Sequence, residues 1–336
     1  MFELEQWVSA EHYQDWVERL IQRVGLTRVR AECLVRLWIY ALAHEGRPAP
    51  LTQLTQPAGL VTCSHRQAAE LFYSDKEQGS DRSAGMMLDK LAALGFIGKR
   101  FDGNTTQITI QPLALTLFAE TQGEHRILPP LHLDDFDPRC DAIPVAQLLA
   151  TNYNWMNHNT EAVPHRIARL LRGWARQYSV GMRVLRRDDN QNPVGFFLLY
   201  PVTSESEANF FGPPNRGLHL SAIREVDRFK MATPGDTSCV AVFIRSWMIA
   251  PDYLNAYRRV FVQDVQRTLE QMTVDFPNLC DIYTLIIHPS YEALTAALGF
   301  QSIGRDPQTS IQWMYFACDR FMDLDLDKAL AQLNNG

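Results

Sequence analysis

Hydrophobic positions recur at helical spacing through the first third of the chain. Residues 11–24 put Trp16, Leu20, Ile21 and Val24 on one face, and 27–44 is rich in Val, Leu, Trp and Ala. Ser64 N-caps "HRQAAELF", with Ala68, Ala69 and Leu71 facing inward. Ser80 caps "DRSAGMMLDKLAALGF", with Ala84, Met87, Leu88, Leu91 and Leu94 in register. Gly95 then ends that helix as a left-handed cap. The period shifts to two in "FIGKRF" and "TQITIQP", two strands around the turn "DGNT". The polar "AETQGEHRILPP", 119–130, is a seam. Beyond it come a short strand in "ILPPLHLDDF", helices near 143–151 and 163–177, and a hairpin in "GMRVLRRDDNQNPVGFFLLYPV". After the loop containing "FFGPPNRG", the apolar runs "CVAVFIRSWMI", "CDIYTLIIH" and "SIQWMYFAC" predict buried strands. They are separated by helices over about 254–273 and in "PSYEALTAALGFQSIG". The terminal "DLDLDKALAQLNNG" predicts a short helix fraying into a tail.

With 336 residues, two domains are expected. The chain is 46% apolar and 21% charged, as in ordinary globular proteins, and no apolar run approaches the roughly 20 residues of a membrane span. The acidic start "MFELEQWVSAEH" does not resemble a secretory signal. The six cysteines are far apart and form no CxxC pair, which favours reduced thiols in a cytoplasmic protein over disulfides or zinc. The nine histidines are also scattered, so no metal is expected. The net charge of −6 argues against non-specific coating of nucleic acid. Residues 1–128 carry thirteen Lys and Arg against fifteen Asp and Glu, so any DNA-binding surface must be a local patch.

Three helices followed by a β-hairpin is the order of a winged helix-turn-helix. "DRSAGMMLDKLAALGFIGKR" resembles the recognition helix and first wing strand of that family, over roughly 25–115. The resemblance implies base contacts from Arg82, Ser83, Met86 and Lys90, with Lys99, Arg100 and Asn104 on the wing. It also implies a homodimer on a roughly palindromic operator. The insertion "YSDKEQG" departs from the family, because Asp75 and Glu77 would repel phosphate. A protein-interaction or dimerisation module therefore stands as the alternative.

The second half resembles the GNAT acetyltransferase superfamily over about 128–322. "NPVGFFLLYPV" resembles the family's second and third strands, "WMIAPDYLNAYRRVFVQDVQRTL" its fourth strand and cofactor helix, and "HPSYEALTAALGFQSIG" the exit of its fifth strand and the next helix. The family's loop reads Arg or Gln, two residues, Gly, one residue, Gly or Ala, and holds the CoA pyrophosphate on free N–H groups. Here those positions are Leu254, Tyr257 and Arg259, and large side chains crowd the backbone. The resemblance implies acetyl-CoA or another acyl-CoA near Ile249, Tyr257, Arg258 and Arg259. Both a remodelled and a lost site are open.

Where the family often carries a tyrosine acid, this chain has Thr295. Tyr291, one turn earlier, is the substitute candidate. His288 stands where an asparagine is common. No carboxylate lies within 240–247, which leaves Glu225 and Asp227 upstream as candidate bases. The expected architecture is α+β. A winged-helix domain (1–118) and a linker (119–127) lead into a GNAT-like mixed sheet flanked by helices (128–322), then a C-terminal helix and tail (323–336). The function expected is a DNA-binding transcriptional regulator whose GNAT-like domain is non-catalytic and senses an acyl-CoA-like ligand or mediates assembly. An active acetyl-CoA-dependent N-acetyltransferase with a docking module, and a protein-interaction scaffold, are the alternatives.

Overall fold

The computed structural model describes residues 2–21, 26–73, 79–101, 105–112, 114–115, 128–153, 163–217, 227–306 and 311–334. They fall into two compact units, one within 1–126 and one within 127–335.

The first unit runs α1 (Ala10–Ile21), α2 (Arg28–His44), β1 (Val61–Thr62), α3 (His65–Phe72), α4 (Asp81–Ala93), β2 (Ile97–Phe101) and β3 (Thr106–Ile110). The sheet order is β1-β3-β2, all antiparallel. Ser64 and Ser80 each form a capping box. Their hydroxyls accept the N–H of Gln67 and Ser83, whose side chains return to the cap backbone. Gly95, at φ +78°, terminates α4 at a dihedral that other residues rarely adopt. Helix α2 is apolar nearly all round because α1, α3, α4 and β3 all pack on it, and Leu34, Leu37, Trp38 and Ile39 are wholly buried.

The second unit holds a seven-stranded mixed sheet, making the chain α+β. The strands are β4 (Leu131–Asp135), β5 (Met182–Arg187), β6 (Pro193–Val202), β7 (Ala241–Ile249), β8 (Asp281–Ile286), β9 (Gln301–Arg305) and β10 (Gln312–Ala317). Their order is β4-β5-β6-β7-β8-β10-β9, antiparallel except for β7–β8. The parallel pair is bridged by α7 (Pro251–Asp275), as a parallel step requires a crossover. Helices α5 (Ala142–Tyr153) and α6 (Val163–Gln177) share one core with Phe196, Leu198 and Tyr200. The alternate residue Phe197 meets Phe261 of α7, ring centres 5.1 Å apart, so β6 is buried on both faces. Helix α8 (Glu292–Leu298) ends at Gly299, φ +89°.

After the last strand come α9 (Cys318–Met322) and α10 (Leu326–Asn334). Leu326, Ala329 and Leu330 are buried, and α10 packs on both α7 and α8. The segment 323–334 is thus part of the fold, because every third or fourth residue of α10 is apolar and finds a surface to cover.

Two arginines, Arg186 buried and Arg183 half-buried, tie β5 to its surroundings. Arg186 donates to both oxygens of Asp141 at 2.6 and 2.7 Å and to Asp134 at 2.7 Å. The Asp141 bond, followed by Asp134, raises the Arg186 pKa. Arg183 donates to Asp264 of α7 at 3.0 Å and pairs with Asp135. Asp141→Ala leaves a buried guanidinium without its bidentate partner and is expected to cost about 3–5 kcal/mol in urea denaturation. Asp141→Leu with Arg186→Met should cost far less.

Candidate functional site

Strand β7 follows β8 only from Ala241 to Ile244, which pair with Asp281 to Thr284. The Thr284 hydroxyl donates to Ile244 O at 3.0 Å and closes the last rung. Beyond it the strands part. β7 stays with β6, and Leu285 and Ile286 stay with β10. The cause is local. Ser246 pairs with Leu198 and Ile244 with Leu199, so Arg245 is an extra residue, a β-bulge that bends the strand.

The parting leaves a cavity of about 80 Å³. Trp247, Val265, Thr284, Leu294, Thr295 and Phe321 are among its walls. The Trp247 ring stands edge-on to Tyr291 at 5.8 Å. Its Nε1 is buried with no hydrogen-bond partner among the described residues, so one donor at this apolar site is unsatisfied. A small, mostly apolar group matches that lining.

The Arg245 side chain is buried among aromatic rings, its guanidinium carbon 4.2 Å from the Tyr200 centroid and 4.8 Å from that of Trp174. Its Nη2 donates to Asp227 Oδ1 at 2.7 Å, and the same oxygen accepts the Phe229 N–H at 3.0 Å. Asp227, a candidate base, is therefore the counter-ion of a buried cation. Sequence reading missed this partner, although an arginine inside the apolar run "CVAVFIRSWMI" demands one. Glu225 and Asn104 lie outside the described residues.

Thr295 stands where the tyrosine acid is expected, and its hydroxyl is turned inward. Thr295 Oγ1 donates to Tyr291 O and Glu292 O at 3.0 and 3.1 Å, within its own helix. Tyr291 is half-buried at the cavity wall, where its hydroxyl is the one candidate proton donor the structure brings to the site. His288 sits in a local turn, its ring 6.2 Å from that of Tyr291. Its Nδ1 is 2.7 Å from Ser290 Oγ and accepts the Ser290 N–H. Burial pushes the Cys63 and Cys318 thiols up to about 12 and Cys239 to about 11, away from nucleophilic use near neutral pH.

The start of α7 departs most from expectation. The helix begins at Pro251, with no loop before it, so its turns run unbroken through Tyr257, Arg258 and Arg259. Amides inside a helix are spent on i−4 carbonyls and cannot bind a phosphate. Tyr257 instead uses its hydroxyl to accept the Leu131 N–H at 3.0 Å, and Arg259 pairs with Asp327. Arg258 is partly desolvated, which lowers its pKa, and Ile249 is buried beside Gly195. In the first turn, Pro251 has no N–H, the Tyr253 N–H is taken by Ala250 O, and Asp252 adds a negative charge. These residues do not fit the pyrophosphate of CoA.

In the first unit, α4 exposes Arg82, and Met86 and Lys90 are half-buried. Ser83 is not on offer. Its hydroxyl donates to Ser80 O at 2.8 Å and accepts the Ser80 N–H at 3.0 Å. Lys99 on β2 is 2.7 Å from Asp89 of α4, while Arg100 beside it is exposed. Asp81 and Asp89 both lie on the exposed side of α4, so its cations are partly neutralised.

No family model matches the chain, and no curated protein does. Among solved structures, the chain is similar to a GNAT-family acetyltransferase from Staphylococcus aureus Mu50. The identity is 12% and the TM-score 0.36, with 56% of this chain and 99% of that one covered. It is similar to Ard1 from Thermoplasma volcanium at 10% identity and TM-score 0.33, over 56% and 97% of the two chains. It is also similar to FdhC, described as a nucleotide-linked sugar GNAT, at 13% identity and TM-score 0.38, over 59% and 93%. Among the described residues there is no cluster of three His, Cys, Asp or Glu suited to a metal. No helix there is long and apolar enough to cross a membrane.

Alkylation with N-ethylmaleimide at pH 8 is expected to label Cys140 and Cys280 in the native protein. Cys33, Cys63, Cys239 and Cys318 should label only in denaturant, since burial blocks access to all four and also raises the thiol pKa of Cys63, Cys239 and Cys318. Peptide mass spectrometry checks it.

Proposed function

We propose that the chain is a regulator built from a winged-helix DNA reader and a GNAT-like domain that senses a small acyl-type ligand without catalysing transfer. The observation that carries this reading is the state of the β7–β8 cavity. A space with an unpaired Trp247 donor is kept, while Thr295 is spent on its own helix and Asp227 on Arg245. The strand order, the bulge at Arg245 and the parting of a parallel pair support the GNAT-like assignment. The helix order, the β-hairpin and the exposed Arg82 and Arg100 support the winged-helix one.

The ligand enters by its acyl end, and the nucleotide contributes nothing. S-acetyl-N-acetylcysteamine, which lacks the nucleotide, is therefore expected to raise Tm by a few degrees at concentrations near a hundred times Kd. That is a stabilisation of about 2.7 kcal/mol. CoA should give no shift, and acetyl-CoA no more than the short thioester. Amine-dependent release of CoA thiol, lost in Tyr291→Phe, would replace this reading with an active acetyltransferase.

On the DNA side, Arg82→Ala is expected to reduce sequence preference by about 1–3 kcal/mol, the worth of a base-edge contact. Asp89→Asn releases Lys99 from its carboxylate. It should tighten binding to all sequences and steepen the log–log salt dependence by about 0.9, one phosphate's worth. Fluorescence anisotropy over a salt series reads both. The absence of any DNA binding at low salt would leave the interaction-module alternative.

A further inference from the structure

The β7–β8 cavity has one wall from outside the sheet and its flanking segments: Phe321 of α9, 2% exposed. The sheet is complete without that segment, because the last ladder pair is Ala317 with Asp281. Three sets of bonds hold the segment from Cys318 onward. The Cys318 N–H donates to Cys280 O at 2.8 Å and fixes the start. The buried Gln266 of α7 places its Nε2 within reach of three carbonyls in the turn between α9 and α10: Phe321 O at 2.8 Å, Leu324 O at 3.1 Å and Met322 O at 3.2 Å. At the rim, Arg259 Nε and Nη2 meet the carboxylate of Asp327 at 2.5 and 2.7 Å.

We infer that residues 318–334 form a lid over the β7–β8 cavity, hinged at Cys318 and fastened by Gln266 and the Arg259–Asp327 pair. Moving the sheet walls breaks a strand ladder, moving α7 shifts a long helix, and the short α8 is tied at both ends to strands β8 and β9. Releasing the lid breaks side-chain bonds, withdraws Phe321 from its packing on Phe300 and Phe316, and uncovers the short apolar face of Leu326, Ala329 and Leu330. Local opening of that kind costs less than global unfolding. The ion pair is half open to water and contributes little by itself. The amide of Gln266, buried and within reach of three carbonyls, is the main fastener.

The test places a thiol inside the cavity. Val265 lines it and is 2% exposed. In Val265→Cys, N-ethylmaleimide is expected to label position 265 far more slowly than the exposed Cys140. Adding Gln266→Ala and Asp327→Arg should speed position 265 by about tenfold, in proportion to the open population, while Cys239 keeps its rate. Restoring the pair in reverse, Arg259→Asp with Asp327→Arg, should slow it again. If Gln266→Ala fails to fold, Asp327→Arg alone carries the test, with about a threefold effect and the same rescue. Labelling at 265 that is unchanged while α10 loses amide-exchange protection overturns the lid. So does acceleration of Cys239 in step with 265, because the segment would then belong to the cooperative core.

Discussion

One extra residue in β7 shapes the second unit. The bulge at Arg245 falls where β7 stops pairing with β8, and the cavity lies between the parted strands. The bulge residue is also a buried cation, which fixes its surroundings. Four aromatic rings lie within 6 Å of its guanidinium and Asp227 neutralises it. Burying a charge is tolerable only when it is paired, so the segment carrying Asp227 must return to the sheet. Backbone geometry and electrostatics thus act at the same residue. The parting of two strands and the fate of a carboxylate both trace to one position.

The same position decides what chemistry is available. A carboxylate near parted strands suggests a base when seen alone. Once it is the partner of Arg245, taking a proton would leave the buried guanidinium uncompensated. Thr295 is limited differently, since a hydroxyl that donates back to carbonyls of its own helix is a common resting state for threonine. Tyr291 stands at the cavity wall, the candidate acid that the structure brings to the site.

Much of the fold is legible in the sequence because its punctuation is chemical. Ser64, Ser80, Gly95 and Gly299 mark helix ends through bonds or dihedrals that few residues supply, and all four stand where expected. The start of α7 is harder to read. "APDYLNAYRR" reads as a loop with a helix from about 254, yet Pro251 is the first helical residue. Proline suits a first turn as well as a loop, so the residue types alone do not separate the two. The capping serine shows a related limit. Ser83 faces solvent by its spacing, but the N3 position of a capping box draws its hydroxyl back to Ser80. Lys99 is legible as an exposed cation, whereas its pairing with Asp89, ten residues away, depends on how β2 lies beside α4.

The unread part of the site is mostly long-range polar pairing. Arg245 with Asp227, Gln266 with the turn after α9, and Arg259 with Asp327 each join segments 18 to 68 residues apart. A polar residue in an apolar run announces that it needs a partner but not which one. Gln266 is the clearest case. It sits one position after Val265, on a helix face that elsewhere carries Phe261, Val262 and Leu269. A buried amide there is costly unless its two hydrogens are placed, and the carbonyls within their reach come from the turn between α9 and α10. The demand for those carbonyls draws the C-terminal helices onto α7. The wall that Phe321 gives the cavity is a consequence of satisfying one side chain.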